Sequence, residues 1–77
     1  MEDSMIKNQL YNKVKSLVDR LPEEQREVVV LRHYADMSFK EISVLTRVSI
    51  NTALGRMRYA LINMRKMIND HELILNP

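Results

Sequence analysis

Arginine, asparagine and serine side chains at helical spacing give residues 38–68 most of their chemical character. Asn51 can both donate a hydrogen bond to adenine and accept one from it, and the Arg58 guanidinium can donate two to guanine O6 and N7. Ser49 stands just before this stretch, where its hydroxyl would satisfy one free helix amide and leave neighbouring amides for a phosphate. These side chains predict contacts with the base edges and backbone of a nucleic acid.

The charge of the chain is concentrated in the same part of the sequence. Residues 37–69 contain six basic residues and one acidic residue, whereas residues 1–36 contain six basic and seven acidic residues. The overall net charge of +2 therefore conceals one strongly basic end. Such an asymmetry indicates a polyanionic partner.

The first half of the chain predicts two helices that would support the basic end. Apolar residues recur every three or four positions up to Leu21, which predicts a first helix from about Ser4 to Asp19. Pro22 ends that helix and suits the start of a second one, which should reach about Tyr34. Four aliphatic residues in a row, 28–31, would also suit a buried strand, but no second strand is available to pair with it.

The second half predicts a helix-turn-helix. Ser38 and Glu41 have the spacing of a capping box, which opens a third helix. Phe39, Ile42 and Leu45 on this helix should face inward. Residues 46–48 form the turn, and the recognition helix runs over 50–68 within a helix-turn-helix of 38–68. The predicted fold class is therefore all-α, a small four-helix domain formed by residues 1–77 with a frayed tail at 71–77.

At 100° per residue, the recognition helix should have one apolar edge and one polar face. The apolar edge contains Ala53, Met57, Ala60, Leu61, Met64 and Ile68. The opposite face, which should meet DNA, contains Asn51, Gly55, Arg58, Tyr59, Ile62 and Lys66. Glycine inside a helix is unfavourable by ~1 kcal/mol relative to alanine, which favours a close approach to a groove wall at Gly55, with neutral drift as the alternative.

The other basic residues are placed for phosphate contacts. Arg56 and Arg65 flank the recognition face, and Lys40 lies near the start of the third helix. A solvated helix surface is the alternative for each basic residue taken singly. One acidic residue among six basic ones in this stretch makes that alternative weaker for the set.

A longer pattern resembles region 4 of bacterial sigma factors of the extracytoplasmic-function group. It consists of Leu21-Pro22, Arg26, residues 28–32, Ser38, Glu41-Ile42, Val48-Ser49, Asn51-Thr52, Arg56 and Ala60, and the resemblance covers roughly residues 7–68. It implies that the last helix binds the promoter −35 element as double-stranded DNA. It also implies docking of the first helices on the β flap of RNA polymerase core, where anti-sigma factors compete. The positions carried over as DNA-facing are Lys40, Ser49, Asn51, Thr52, Leu54, Gly55, Arg58 and Tyr59.

The chain departs from the family pattern at several positions. Arg47 stands where the turn usually has glycine, so a left-handed conformation there would be strained by ~1 kcal/mol. Two alternatives follow: the turn differs slightly from that of the family, or Arg47 contacts a phosphate in compensation. Leu54 and Gly55 replace a basic or polar residue followed by serine, so two side chains that could form hydrogen bonds in the groove are missing and the promoter bases are not predicted. Leu54 could instead contact a thymine methyl group. No segment resembles region 2, so we expect that this chain cannot start transcription alone.

A docking surface is predicted on the first two helices. Tyr11, Val18, Val28 and Val30 lie off the main apolar stripes, and a domain of this size should not need them all for its core. We interpret them as a surface for the polymerase flap or for an anti-sigma factor. Ordinary core packing is the alternative.

Composition excludes several other classes of protein. The chain has no cysteine, its two histidines are far apart, and no nucleophile and base are paired, so we expect no metal, no cofactor and no enzymatic activity. No apolar run approaches the ~20 residues that span a bilayer, and the N-terminus lacks a secretory signal. We expect a cytoplasmic monomer. Two alternatives remain: an autonomous helix-turn-helix regulator of the response-regulator output type, which would dimerise, and a protein-interaction module without DNA binding.

Overall fold

The domain consists of four α-helices, in agreement with the predicted fold class. The computed structural model describes the backbone of residues 2–71 and the side chains of residues 9–70. Within those residues there is no β-strand. The helices are α1 (Glu2–Asp19), α2 (Glu23–Val29), α3 (Phe39–Thr46) and α4 (Ile50–His71), and a π-helical turn, Val30–Tyr34, continues α2.

The junction between α1 and α2 follows the sequence closely. α1 begins two residues earlier than predicted and ends at Asp19, as predicted. Pro22 precedes α2 as its N-cap with φ −53° and ψ 149°, and its carbonyl accepts a hydrogen bond from the Arg26 amide at 2.9 Å. The fixed φ of proline and its missing N–H therefore set the point where the chain leaves α1 and starts α2.

The run of four aliphatic residues is helical and ends in the π-helical turn. The Ala35 amide donates to the Val30 carbonyl at 3.1 Å, five residues back, which is the spacing of a π-turn. Val28 and Val29 are buried, whereas Val30 lies on the exposed side. The prediction of a second helix reaching Tyr34 is confirmed, but the widened last turn was not foreseen.

The hydrophobic core is formed where α4 crosses α2 and α3. Its fully buried members include Val28, Ile42, Ala53 and Ala60. The two small alanines allow the backbone of α4 to lie close to its neighbours, which is why one edge of α4 is sealed from water. α4 packs mainly against α2 and α3 and makes a smaller contact with α1.

Two predictions about inward-facing leucines are wrong. Leu45, near the end of α3, and Leu61, on the predicted apolar edge of α4, are both more than half exposed. At Leu61 the reason is geometric, because its direction lies about 70° from the centre of the edge formed by the buried Ala53, Met57 and Ala60, and α1 makes only a small contact with α4. The buried edge of α4 is accordingly narrower than predicted.

The predicted capping box at the start of α3 is confirmed. The Glu41 amide donates to Ser38 Oγ at 3.1 Å, and the Ser38 amide donates to Glu41 Oε1 at 2.9 Å. The Ser38 amide, which donates a hydrogen bond to the Glu41 carboxylate, lowers the pKa of Glu41 below its ordinary value of 4.5, and hydrogen bonding with the Ser38 side chain lowers it further. The capping box therefore favours the ionised carboxylate in the folded state.

The free energy of unfolding should consequently depend on pH through Glu41. A carboxylate whose pKa is lowered by folding contributes stability above 4.5, and this contribution is lost as the pH falls through the lower, folded-state pKa. Glu41→Gln should therefore lose stability at neutral pH and show a smaller further loss below pH 4.5. Urea unfolding of both proteins across this range measures the effect, and parallel pH curves would contradict it.

The turn between α3 and α4 is a Schellman motif with arginine at the glycine position. Arg47 has φ 59° and ψ 42°, the left-handed conformation anticipated from the sequence. Its amide donates to the Val44 carbonyl at 3.3 Å, and the Val48 amide donates to the Ser43 carbonyl at 3.0 Å. These two bonds define the motif and satisfy carbonyls at the end of α3.

Arg47→Gly should stabilise the domain by about 1 kcal/mol, because glycine adopts this conformation without the clash of a Cβ atom. Arg47→Ala is the matched control, since it removes the charge but keeps the Cβ atom. Thermal unfolding should show a higher Tm for the glycine variant alone. Equal Tm values for the two variants would show that the left-handed conformation is not strained.

The recognition helix begins where predicted and is longer than predicted. α4 starts at Ile50 and continues to His71, three residues beyond the expected end at Ile68. Apart from the backbone of His71, the predicted frayed tail lies outside the described residues. A helix of 22 residues is about 33 Å long, whereas the eight residues of α3 span about 12 Å.

Candidate nucleic-acid interface

α4 has one buried edge and one exposed face, as the helical pattern predicts. Ala53, Met57 and Ala60 are buried in the core. Asn51 and Arg58 are exposed on the other side of the helix. The remaining residues predicted for this face are also accessible: Thr52, Leu54, Tyr59, Ile62 and Lys66 are exposed and Gly55 is half-buried.

The N-terminus of α4 is capped by a pair of hydroxyl groups. Ser49 Oγ accepts a hydrogen bond from the Thr52 amide at 3.0 Å, which confirms the predicted N-cap. The Ser49 hydroxyl donates in turn to Thr52 Oγ1 at 2.9 Å. Because the Thr52 oxygen already accepts that bond, its own O–H group is directed to other acceptors, and Thr52 is exposed. This end of α4 therefore presents a hydroxyl donor beside the first amides of the helix.

Most of the basic side chains at this end are accessible and unpaired. Lys40, Arg47, Arg58, Arg65 and Lys66 are all exposed. Among the side chains of residues 9–70, none of these five lies within 4.0 Å of a carboxylate. An exposed cation without an internal partner is free to contact a phosphate.

Arg56 differs from the other basic residues. Its side chain is only 21% exposed, and its Nη2 atom lies 3.6 Å from Glu24 Oε2 at the start of α2. The sequence predicted Arg56 as a phosphate contact but gave no sign of this partner, because 32 positions separate the two residues. Glu24 is also one of two acidic residues in the first turn of α2, where a negative charge favours the helix start.

A depression of about 400 Å³ lies between the start of α2 and the exposed face of α4. Gly55 is on its wall, and a Cβ atom built there would meet no atom within 4 Å. The glycine therefore leaves open space at the surface and is not required by packing inside the domain. The residues that line the depression are Pro22, Glu24, Gln25, Thr52, Gly55, Arg56 and Tyr59.

Gly55→Ala should raise stability and lower DNA affinity. The stability gain should be about 1 kcal/mol, because alanine is the better helix former and the added methyl group meets nothing. The affinity should fall because the methyl group would separate the helix backbone from a groove wall. Thermal unfolding and a duplex titration measure the two effects.

Ser16→Ala, on the exposed side of α1, is the control for the Gly55 variant. It should raise stability less than Gly55→Ala and leave DNA affinity unchanged. Unchanged affinity in Gly55→Ala would favour neutral drift at that position.

A second depression lies along the outer side of α4. Its volume is about 520 Å³, and Arg58, Leu61, Ile62 and Arg65 line it. Arg58 and Arg65 are two turns apart, which is about 10 Å along the helix axis. Arg58 and Arg65 would therefore contact different parts of any groove that receives α4.

The predicted docking surface is only partly accessible. Val18 and Val28 are 2% and 0% exposed and belong to the hydrophobic core, so their assignment to a contact surface is wrong. Val28 lies on α2, which contacts both α1 and α4, and Val18 lies near the end of α1, which contacts both α2 and α4, so each is covered although it lies off the main stripe of its helix. Tyr11 and Val30 remain 51% and 39% exposed.

Tyr34 joins these two residues, and sequence reasoning did not select it. Its ring contacts that of Tyr11 edge to face, with the centroids 5.9 Å apart and an interplanar angle of 86°. Partial burial, with Tyr11 and Asp19 nearby, raises the pKa of Tyr34 above its ordinary value of 10.0. A groove of about 320 Å³ extends from this pair between α1 and α4 as far as Met57 and Met64. The π-helical turn that carries Tyr34 has no signature in the sequence pattern.

Other kinds of site were sought in the described part of the chain. No group of three or more histidine, cysteine, aspartate or glutamate side chains there is arranged to hold a metal ion. None of the described helices has the length and apolar character needed to cross a membrane.

A short capped helix, a tight left-handed turn and a longer helix with a polar outer face define a helix-turn-helix DNA-binding domain. The family model described as Sigma-70, region 4 matches residues 11–61, more than half of the chain. The chain belongs to this family. No match was found among curated proteins or solved structures.

Membership of the family gives the domain its general role. Region 4 is a non-enzymatic DNA-binding domain of sigma factors, in which it binds the −35 promoter element during transcription initiation. Promoter DNA and RNA polymerase are the partners that the family implies. The match ends at residue 61, so it includes Asn51 and Arg58 but not Arg65 or Lys66.

Proposed function

We propose that this chain acts as one region 4 domain that reads a −35 element through the exposed face of α4. Asn51 and Arg58 contact base edges, and Leu54 contacts a thymine methyl group. Gly55 and Tyr59 lie against the groove wall. The residues assigned to the DNA backbone are Lys40, Arg47, Ser49, Thr52, Arg56, Arg65 and Lys66.

One observation carries this proposal. Asn51 and Arg58 point away from the core while Ala53, Met57 and Ala60 on the same helix are buried. A helix sealed on one edge and exposing basic and amide groups on the other has the form needed to enter a major groove, which is about 12 Å wide. The exposed lysine and arginine side chains on either side of that face supply contacts to both strands.

A selection from randomised duplexes followed by a salt titration tests the proposal. The selected duplex should be bound more tightly than a random one, and log K should fall with log salt with a slope of about −0.9 per phosphate neutralised. Absence of binding at low salt would leave the protein-interaction module as the better explanation. A palindromic selected site, together with a stable dimer in sedimentation, would instead favour an autonomous dimeric regulator.

We further propose that the domain is a cytoplasmic monomer of the extracytoplasmic-function type that docks on the polymerase β flap. The support is an accessible apolar surface, formed by Tyr11, Val30 and Tyr34, next to the groove between α1 and α4. This surface is separate from the face of α4 assigned to DNA, so both contacts can be made together. An anti-sigma factor would compete for the same surface.

Val30→Asp tests the docking surface. A charge at this exposed position should abolish binding to a purified β flap fragment while leaving DNA affinity and Tm close to wild type. Val44→Asp, at an exposed position on α3, is the matched control and should bind the flap normally. Equal flap binding by the two variants would exclude this surface as the docking site.

A further inference from the structure

The contact between Arg56 and Glu24 joins the DNA-facing side of α4 to the start of α2, which has no part in the proposed function. Arg56 is assigned to a DNA phosphate, and its side chain is held in the free protein by a carboxylate on another helix. Glu24 is 72% exposed, so the carboxylate faces solvent at the rim of the depression beside α4. Thr52, Gly55 and Tyr59, which belong to the DNA-facing surface, line the same depression.

A second contact between the same two helices holds the backbone of α2 in place at Glu24. Asn63 Nδ2 donates a hydrogen bond to Gln25 Oε1 at 2.7 Å, and this bond is partly buried. Gln25 is adjacent to Glu24, and Asn63 is seven residues beyond Arg56 on α4. The start of α2 is therefore tied to α4, which keeps the backbone of Glu24 beside the DNA-facing surface.

The ion pair is weak enough to be exchanged. Its 3.6 Å separation exceeds the 2.7–2.9 Å of a charge-assisted hydrogen bond. One partner is largely in water, where the attraction between two charges is small. A phosphate that enters the depression offers the Arg56 guanidinium an equivalent anionic partner. The Glu24 carboxylate repels this phosphate as long as the carboxylate stays close to Arg56.

We propose that Glu24 is a specificity-determining residue that competes with a DNA phosphate for Arg56. This inference rests on the proposed function. On a duplex without the right bases, α4 is not held deep in the groove, so Arg56 remains with Glu24. On the selected duplex, the contacts of Asn51 and Arg58 bring a phosphate into the depression, and Arg56 transfers to it. Glu24 therefore weakens binding to random DNA more than binding to the selected site.

Glu24→Gln tests this competition, with Glu23→Gln as the matched control. Both changes remove one negative charge from the exposed first turn of α2, but only Glu24 pairs with Arg56. The Glu24→Gln variant should bind random duplex roughly two- to five-fold more tightly than wild type. On that duplex its plot of log K against log salt should be steeper by about 0.9, the value for one additional phosphate. Affinity for the selected duplex should rise less, so the ratio between the two falls.

The double variant Glu24→Gln/Arg56→Gln completes the test. In the Arg56→Gln background, the effect of Glu24→Gln should shrink to that of Glu23→Gln, and the Tm of each variant establishes that it is folded. Equal effects of Glu24→Gln and Glu23→Gln in the wild-type background would overturn the proposal in favour of a general charge effect. Weaker binding by Glu24→Gln would also overturn it, because Glu24 would then position Arg56 for DNA. Failure of the wild-type domain to bind any duplex would instead overturn the proposed function, and this inference with it.

Discussion

Replacing Arg58 by alanine should cost about 1–3 kcal/mol of binding free energy on the selected duplex and should relax the preference at one base pair. Arg58 is exposed on the side of α4 that faces away from the core, and its guanidinium makes no ion pair among the described residues. Its two parallel donors match the O6 and N7 acceptors of guanine. Titration of the variant against duplexes with each base at each position measures both effects.

Arg65→Ala is the control for Arg58→Ala, because both residues are exposed arginines that line the same depression on α4. If Arg65 contacts a phosphate, its loss should weaken binding to all duplexes by a similar factor and reduce the salt slope by about 0.9. The preference for particular bases should remain. If the two variants lose the same affinity on every duplex, then Arg58 does not read a base and the assignment of the α4 face is wrong.

Ile42→Ala should destabilise the domain by about 2–5 kcal/mol, the largest stability effect that we expect from one substitution. Ile42 is fully buried, and it is the only buried aliphatic side chain of α3. A domain of 77 residues has a stability of roughly 4–12 kcal/mol. Denaturant unfolding should therefore show a large loss, and DNA affinity should fall with the folded fraction because α3 supports the turn before α4.

Val44→Ala is the control for Ile42→Ala on the same helix. Val44 is 72% exposed, so removal of its two methyl groups should change stability by no more than about 0.5 kcal/mol. A loss at Val44 comparable to that at Ile42 would mean that α3 packs through a different side. Unchanged DNA affinity in a largely unfolded Ile42→Ala protein would show that α3 is not needed to present α4.

Local signals in the sequence were sufficient for the order and most of the bounds of the helices. The capping box of Ser38 and Glu41 and the N-cap of Ser49 are interactions between residues three positions apart, so their spacing alone predicts them. Pro22 acts through its own fixed dihedral angle. The left-handed conformation of Arg47 was expected from the family resemblance, in which this turn position is usually glycine, and the backbone has it.

Predictions of burial from helical periodicity failed where the packing of a neighbouring helix decides which side chains are covered. The apolar edge of α4 was correct at Ala53, Met57 and Ala60 but too wide at Leu61, because the sequence does not show how far α1 extends along α4. Val18 on α1 and Val28 on α2 were predicted as contact residues and are core residues, since α1, α2 and α4 all contact one another. Neither the π-helical turn nor the pairing of Tyr11 on α1 with Tyr34 on that turn had a local signal in the sequence.

The sequence by itself determined a basic helix-turn-helix whose last helix has an apolar edge opposite a face with Asn51 and Arg58. These features follow from charge, capping and periodicity, which are properties of residues close together in the chain. Among the basic residues of 37–69, the tertiary structure alone decided which are unpaired and which one is held by a carboxylate. Glu24 and Arg56 meet only because α2 and α4 pack together, and helix packing depends on side chains distant in sequence.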